Sequence, residues 1–175
     1  GNFFVAAGGV LADWMVDGYP PMDLWDVDLR RSLPFQSNRR YLHDRTVEAL
    51  GLLYAMHWPY RQVETARPVR TSPLHERLQQ HGACFGETAG WERPNWYAPE
   101  GSAARYEYSY GRQNWFEFSA AEHRAAREGV VLFDQTSFAK FRLEGRDAEV
   151  VLSRICANDV AVPPGRVVYT QWLNV

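Results

Sequence analysis

Tyr169 and Gln171 alternate along the run Arg166–Leu173, which is rich in Val and Tyr and reads as a strand. A strand turns successive side chains to opposite faces, so Val167, Tyr169 and Gln171 share one face and Val168, Thr170 and Trp172 the other. A tyrosine ring can stack on a flat heteroaromatic group and still offer its hydroxyl, and a neighbouring amide adds donors and acceptors. The pair suits a polar cleft, and an ordinary solvated sheet face has the same pattern. Gly8-Gly9 is a second candidate, because bare glycines at a helix N-terminus let a phosphate or flavin approach the backbone. On two glycines alone, a turn from strand to helix is the plainer reading.

The other reactive residues point to less chemistry. His43, His57, His75, His81 and His123 lie on or near helices, and no two share a metal-ligand spacing, so solvated or hydrogen-bonded histidine is expected and no metal. Asp134 follows the apolar run Val130–Phe133 and precedes Gln, Thr and Ser, as an Asx turn or cap would. Cys84 and Cys156 are far apart and read as reduced thiols rather than a disulfide framework.

Several elements must position these residues. Gly8 to Gly18 reads as a short helix, with Val10, Leu11 and Trp14 at helical spacing and Gly18 as its stop. Asp23–Arg31 alternates acidic and apolar residues, as an extended surface segment would, and Pro34–Asn38 reads as a linker. Arg39–Trp58 is the longest helical candidate, with Asn38 as N-cap, Gly51 as a weak point and Pro59 as its end. Ser72-Pro73 opens a helix that Gly82 stops. Gly86–Gly101 has the composition of an ordered loop. Ser119–Glu122 has the capping-box pattern, which predicts a helix over Ala120–Glu128 closed by Gly129. Ala139–Leu143 and Arg166–Leu173 read as strands, and Asp147–Cys156 as a helix packed on a sheet.

Composition narrows the class. The chain has 175 residues, of which 46% are hydrophobic, enough to build a core of one domain or somewhat more. Its net charge of −2, with acids and bases interspersed, gives no basic stripe for nucleic acid or an anionic membrane. No apolar run approaches the roughly 20 residues of a membrane-spanning helix. The reading is therefore a protein with no nucleic-acid or membrane partner.

Longer motifs carry a family resemblance over the full length. Ala7-Gly-Gly9, Leu11-Ala-Asp-Trp-Met-Val-Asp-Gly18 and Pro21-Met-Asp-Leu-Trp-Asp-Val-Asp-Leu-Arg-Arg31 resemble the end of the FAD domain in the dimethylglycine and sarcosine dehydrogenase family. Arg39-Arg-Tyr41, Glu64-Thr-Ala-Arg67, Thr71-Ser-Pro-Leu-His75 and Gly90-Trp-Glu-Arg-Pro-Asn-Trp96 are similar to its small central domain. Asn114-Trp-Phe116, Phe133-Asp-Gln-Thr-Ser-Phe138 and Gly145-Arg-Asp-Ala148 resemble the start of its folate-binding aminomethyltransferase domain, shared with the glycine-cleavage T-protein.

The resemblance implies an α+β fold: the end of an FAD domain over 1–34, a small central α/β domain over 35–95, and the incomplete start of an aminomethyltransferase domain over 96–175. It implies that the chain is an internal fragment of an FAD-dependent oxidoreductase. Such an enzyme removes a hydride from an N-methyl amine, dimethylglycine or sarcosine among them, and passes the one-carbon unit to tetrahydrofolate. FAD and tetrahydrofolate are the implied cofactors, with Gly8 and Gly9 near the flavin and Tyr169 in the folate cleft; no electron acceptor is indicated. The family places a longer glycine-containing segment where Gly8-Gly9-Val10 stands here. Its dinucleotide fingerprint belongs upstream of Gly1 and its catalytic carboxylate beyond Val175, so no catalytic residue is assigned and the isolated chain is expected to bind no FAD. The implied location is the cytoplasm, or the mitochondrial matrix in a eukaryote. Two rivals are a non-catalytic regulatory paralogue of the same architecture and a stand-alone folate-dependent aminomethyltransferase.

Overall fold

The computed structural model describes residues 2–55 and 61–173, with the side chains of residues 2–6 outside the description. Two compact units divide the chain, Gly1–Ser137 and Phe138–Val175. The first unit opens on helix α1, Asn2–Asp17, which Gly18 ends at φ 76° while its amide donates to the Trp14 carbonyl. The expected turn from strand to helix at Gly8-Gly9 is thereby corrected, because α1 runs through both glycines without a break.

Short 3₁₀ turns follow at Trp25–Val27, Leu29–Arg31 and Pro34–Ser37, in place of the extended segment and linker expected there. Local side chains fold them. Asp28 accepts from the Arg30 amide at 2.8 Å and holds the Arg30 guanidinium at 2.5 Å, and Gln36 Oε1 accepts from the Leu33 amide at 2.7 Å. Alternation of acid and apolar residues cannot reveal such bonds between residues two and three apart. The hydrogen bonds from Arg30 hold the Asp28 carboxyl below its ordinary range.

Helix α2 spans Arg39–Leu52, with the Asn38 side chain accepting from the Arg40 and Tyr41 amides as an N-cap should. It ends one residue past Gly51, earlier than expected; His57, Trp58 and Pro59, on which the longer reading rested, lie outside the described residues. Helix α3, His75–Gln80, starts later than the Ser72-Pro73 signal, since Ser72 Oγ accepts from the Leu74 amide in a turn ahead of the helix. Gly82 then stops it at φ 81°.

The centre of the unit is a hairpin that the sequence pattern hid. Strand β1, Ala83–Thr88, pairs antiparallel with β2, Trp91–Tyr97, where a loop was expected. Ala89 and Gly90 join them, both at positive φ, 51° and 81°, as a two-residue hairpin turn whose twist matches the strands. Pro94 within β2, Gly86 within β1 and a bulge at Cys84/Phe85 break the alternation that would have announced it. Trp96, 1% exposed, is buried with Cys84 and Ala98, and Tyr106, Trp115 and Phe118 pack on this cluster. The Trp96 and Phe118 rings stack at 5.7 Å. Gly82 is tied to this core: a Cβ there would meet the Ala98 carbonyl oxygen at 2.2 Å.

Helix α4, Phe116–Glu128, covers β2 and begins before the capping-box pattern, which is not formed. Ser119 lies inside the first turn, and Glu122 turns to the sheet, accepting from the Tyr97 amide at 2.8 Å. Gly129 ends the helix as expected, its amide on the Ala125 carbonyl.

In the second unit α5 spans Ala148–Ile155, close to expectation. Neither Ala139–Leu143 nor Arg166–Leu173 forms a strand. Among the described residues only an isolated antiparallel bridge, Cys156 with Trp172, pairs this unit, so α5 has no sheet to pack on. A lone extended segment has no ladder, which needs a neighbour to exchange amide and carbonyl bonds.

Candidate functional site

Tyr169 sits in the second unit on a segment held by its backbone. The Leu173 amide donates to the Ile155 carbonyl at 2.7 Å and the Ala157 amide to the Gln171 carbonyl at 2.9 Å. Asn158 anchors it further: its Nδ2 donates to the Tyr169 carbonyl at 2.7 Å and its amide to Thr170 Oγ1 at 3.0 Å. The expected faces hold only in part and without the ladder, since Trp172, expected beside Val168 and Thr170, is 62% exposed. Val168 and Thr170 are half-buried, while Val167, Tyr169 (85% exposed) and Gln171 point outward. Tyr169 is therefore not a packed core tyrosine of this chain. Its ring and the Gln171 amide are both exposed, and residues of these types can stack on a flat ring and hydrogen-bond its edge.

Gly8 and Gly9 stand in the second and third turns of α1. Amides at such positions bond the carbonyls four residues back, so they are not the free donors of a helix N-terminus. A Cβ at either position would meet nothing within 4 Å, so the glycines leave a bare helix flank. As amide donors to a flavin they do not fit; as a surface for close approach they do.

Asp134 is a cap: its Oδ1 accepts from the Thr136 amide at 3.0 Å. His43 Nδ1 lies 3.0 Å from Asp44 and His123 Nδ1 2.7 Å from the Ser119 carbonyl, local contacts of helix residues. The His75 ring packs on Phe85 at 4.3 Å, while His57 lies outside the described residues. Burial pushes the Cys84 thiol up to about 11, against the pull of Arg67, so it is no nucleophile at neutral pH. Among the described residues no three His, Cys, Asp or Glu side chains gather as metal ligands, and no helix is long and apolar enough to cross a membrane.

Two features escaped the sequence reading. One is an apolar groove of about 860 Å³ between the Pro34–Ser37 turn and α2, lined by Leu33, Pro34, Tyr41, Leu42, Arg45 and Leu50. The other is a set of nearly buried ion pairs, Arg45–Glu87 at 2.7 Å and Arg67–Glu92 at 2.5 Å. Their partners are 42 and 25 residues apart, beyond any local pattern.

Residues 17–72 match the FAD dependent oxidoreductase central domain and residues 74–175 the GCVT N-terminal domain. The chain belongs to the family of the GCVT N-terminal domain, here preceded by the FAD dependent oxidoreductase central domain, and dimethylglycine and sarcosine dehydrogenases are among its relatives.

Among its relatives, 4-methylaminobutanoate oxidase (formaldehyde-forming) of Paenarthrobacter nicotinovorans is 50% identical over 99% of this chain and 23% of that protein. The mitochondrial pyruvate dehydrogenase phosphatase regulatory subunit of Mus musculus is 36% identical over 96% of this chain and 20% of its own length. Mitochondrial sarcosine dehydrogenase of Mus musculus is 32% identical over 95% of this chain and 21% of its own length. The chain thus spans about a fifth of the length of the curated relatives it matches. The first match runs over 186 positions against 175 residues here, so that relative carries residues inside the matched region that this chain lacks.

Proposed function

We propose that this chain is part of an FAD-dependent oxidoreductase that demethylates a small N-methyl amine bearing a carboxylate and passes the one-carbon unit to tetrahydrofolate. The observation that carries this reading is the pair of family matches, with Tyr169 and Gln171 both exposed within the segment matching the GCVT N-terminal domain. The names of the relatives favour the amine class: 4-methylaminobutanoate and sarcosine are both N-methyl amino acids. We keep the division into a flavin-domain end at 1–34, a central domain at 35–95 and a folate-domain start at 96–175 as part of the proposal. The location proposed is the cytoplasm, or the mitochondrial matrix in a eukaryote.

When bound, the flavin supplies hydride removal from the methyl group and the folate captures the one-carbon unit. Tyr169 would stack on the pterin or its aryl amide, and Gln171 would hydrogen-bond a polar edge. Gly8 and Gly9 offer the flavin domain their bare flank and donate no proton or amide.

In the longer protein, Tyr169→Ala should weaken tetrahydrofolate binding and raise the free formaldehyde share, while amine-driven flavin reduction continues at a similar rate. If folate affinity and the formaldehyde share both stay at wild-type values, the assignment of Tyr169 is wrong. The isolated chain, mixed with FAD and passed through gel filtration, should carry no flavin, because α1 offers no free amide cradle at Gly8-Gly9. A stoichiometric flavin spectrum would overturn that.

A second reading, a non-catalytic regulatory protein, is favoured by the 36% identity to the phosphatase regulatory subunit and by the uninterrupted α1. Flavin content of the longer protein separates the two: a protein without flavin is the regulatory one.

A further inference from the structure

The two faces of the β1–β2 hairpin differ in charge balance. The register sets Glu87 opposite Glu92 on one face, and Thr88 opposite Trp91 and Gly86 opposite Arg93 on the other. On the first face both carboxylates are nearly buried, and each meets an arginine. Glu87 holds Arg45 at 2.7 Å and Glu92 holds Arg67 at 2.5 Å, so acid and base cancel there.

The second face receives a further base and none of these acids. Arg70 bridges Trp91 in parallel: its amide donates to the Gly90 carbonyl at 2.8 Å, and its carbonyl accepts from the Glu92 amide at 2.9 Å. Residues bridged in this way point to the same side of the pleat. Arg70 therefore lies on the side of Trp91 and Arg93, across the sheet from Glu87 and Glu92. With its backbone clamped at both amide and carbonyl, it has little freedom left to lose when its head group is bound.

Aromatic rings, not a carboxylate, hold the Arg70 head group. The guanidinium carbon lies 5.3 Å from the Phe35 ring centroid and 5.8 Å from the Trp91 ring centroid, within cation–π range. Phe35 is itself fixed by the hairpin turn, where a Cβ on Gly90 would meet its ring at 2.6 Å. Arg70, Phe35 and Trp91 are all half-buried. Among the described residues the Arg70 guanidinium donates no hydrogen bond and pairs with no carboxylate, whereas Arg67, three residues earlier, has both.

We propose that Arg70, walled by Phe35 and Trp91, is a binding site for a small carboxylate with an apolar body. A guanidinium presents a planar fork of N–H donors that matches the two oxygens of a carboxylate. A half-buried charge with no partner is unfavourable, and a bound carboxylate removes that penalty. The two rings add an apolar wall for the body of the ligand. Inorganic phosphate shares the charge but has no apolar part to set against the rings. All three residues lie in the unit Gly1–Ser137, and the site stands apart from the demethylation proposed above.

The test uses the longer protein and phenylglyoxal, which adds to guanidinium groups, with adducts followed at each arginine by peptide mass spectrometry. The probes are benzoate, acetate and inorganic phosphate, compared with chloride at equal ionic strength. Without a probe, Arg70 should react faster than Arg67, whose donors are taken by Glu92 and the Val63 and Phe85 carbonyls. Benzoate at about 10 mM should slow Arg70 about tenfold, as a Kd of about 1 mM requires. Acetate should slow it less and phosphate least, while the exposed Arg77 keeps its rate throughout.

Trp91→Leu should leave Arg70 reactive and abolish the preference for benzoate over acetate. If that variant does not fold, Phe35→Leu asks the same of the other ring, and the wild-type rates decide the proposal by themselves. Arg70 as slow as Arg67 before any probe is added means that its donors are covered in the longer protein, which overturns the site. Benzoate that slows Arg70 no more than Arg77 overturns specific binding. Phosphate that protects Arg70 as well as benzoate overturns the carboxylate assignment.

Discussion

Around the β1–β2 hairpin, aromatic side chains are hidden: Trp96 is 1% exposed and Tyr106, Trp115 and Phe118 close over it. In residues 138–173 the aromatic content is similar in kind, but Phe141, Tyr169 and Trp172 all face outward, as does Val167 at 92% exposure. Both regions carry β-forming sequence. The hairpin closes its own ladder through a two-residue turn, and α4 covers one side of it. The segments Ala139–Leu143 and Arg166–Leu173 have no neighbouring strand among the described residues, and α5 alone cannot cover them. A β pattern becomes a packed sheet only where a partner supplies the ladder and a second layer supplies burial.

The largest effect that would break this contrast is expected at Trp96. Trp96→Ala should cost about 3–5 kcal/mol, the range for emptying a buried aromatic site. Near-UV circular dichroism during urea unfolding reads it. A cost below about 1 kcal/mol would mean the hairpin hub is no better packed than the second unit.

The acid side sharpens the same contrast. Burial raises the Glu48 pKa, but the Thr65 hydroxyl, the Thr65 and Glu64 amides and the Arg45 charge outweigh it, and the net value lies below 4.5. A carboxyl with a depressed folded pKa stabilises above its unfolded value, and that stability is lost as pH falls through the folded one. Residues 61–70 should therefore loosen as pH drops below about 4.5. Glu48→Gln should flatten the acid limb of a stability profile. A profile unchanged by that substitution would mean that the Glu64 and Thr65 amides do not hold the Glu48 carboxylate as described.

At Gly9 a gain is expected. Helical glycine is less stable than alanine by roughly 0.5–1 kcal/mol, and the site has room for a Cβ, so Gly9→Ala should raise stability by about that much. Helix content by far-UV dichroism checks it, and a loss of stability would restore the strand-to-helix turn. The smallest effect belongs to the second unit: Val167→Ser should stay within about ±0.5 kcal/mol in this chain, as for other exposed positions. A cost of several times that in thermal unfolding would show that Val167 is covered after all.

The sequence by itself determined the events that act over one helical turn or less. Asn38 caps α2, Gly18, Gly82 and Gly129 stop their helices, and Asp134 caps the Thr136 amide. Each rests on a short side chain or a bare Cα next to the backbone it serves, so spacing alone reveals it. The outward side of Val167, Tyr169 and Gln171 was legible for the same reason, since period two needs no partner.

Only the tertiary structure decided the rest. Glu122 fits a capping box in sequence and instead reaches the Tyr97 amide across 25 residues. Pro94 and Gly86 read as loop residues, yet stand in paired strands because the bulge and the hairpin turn place them there. Arg45 and Arg67 were two among 19 basic residues until the hairpin set Glu87 against Glu92. Long-range pairing of charges and strands depends on which segments close in space. That closure is fixed by burial and register over tens of residues, which no local spacing records.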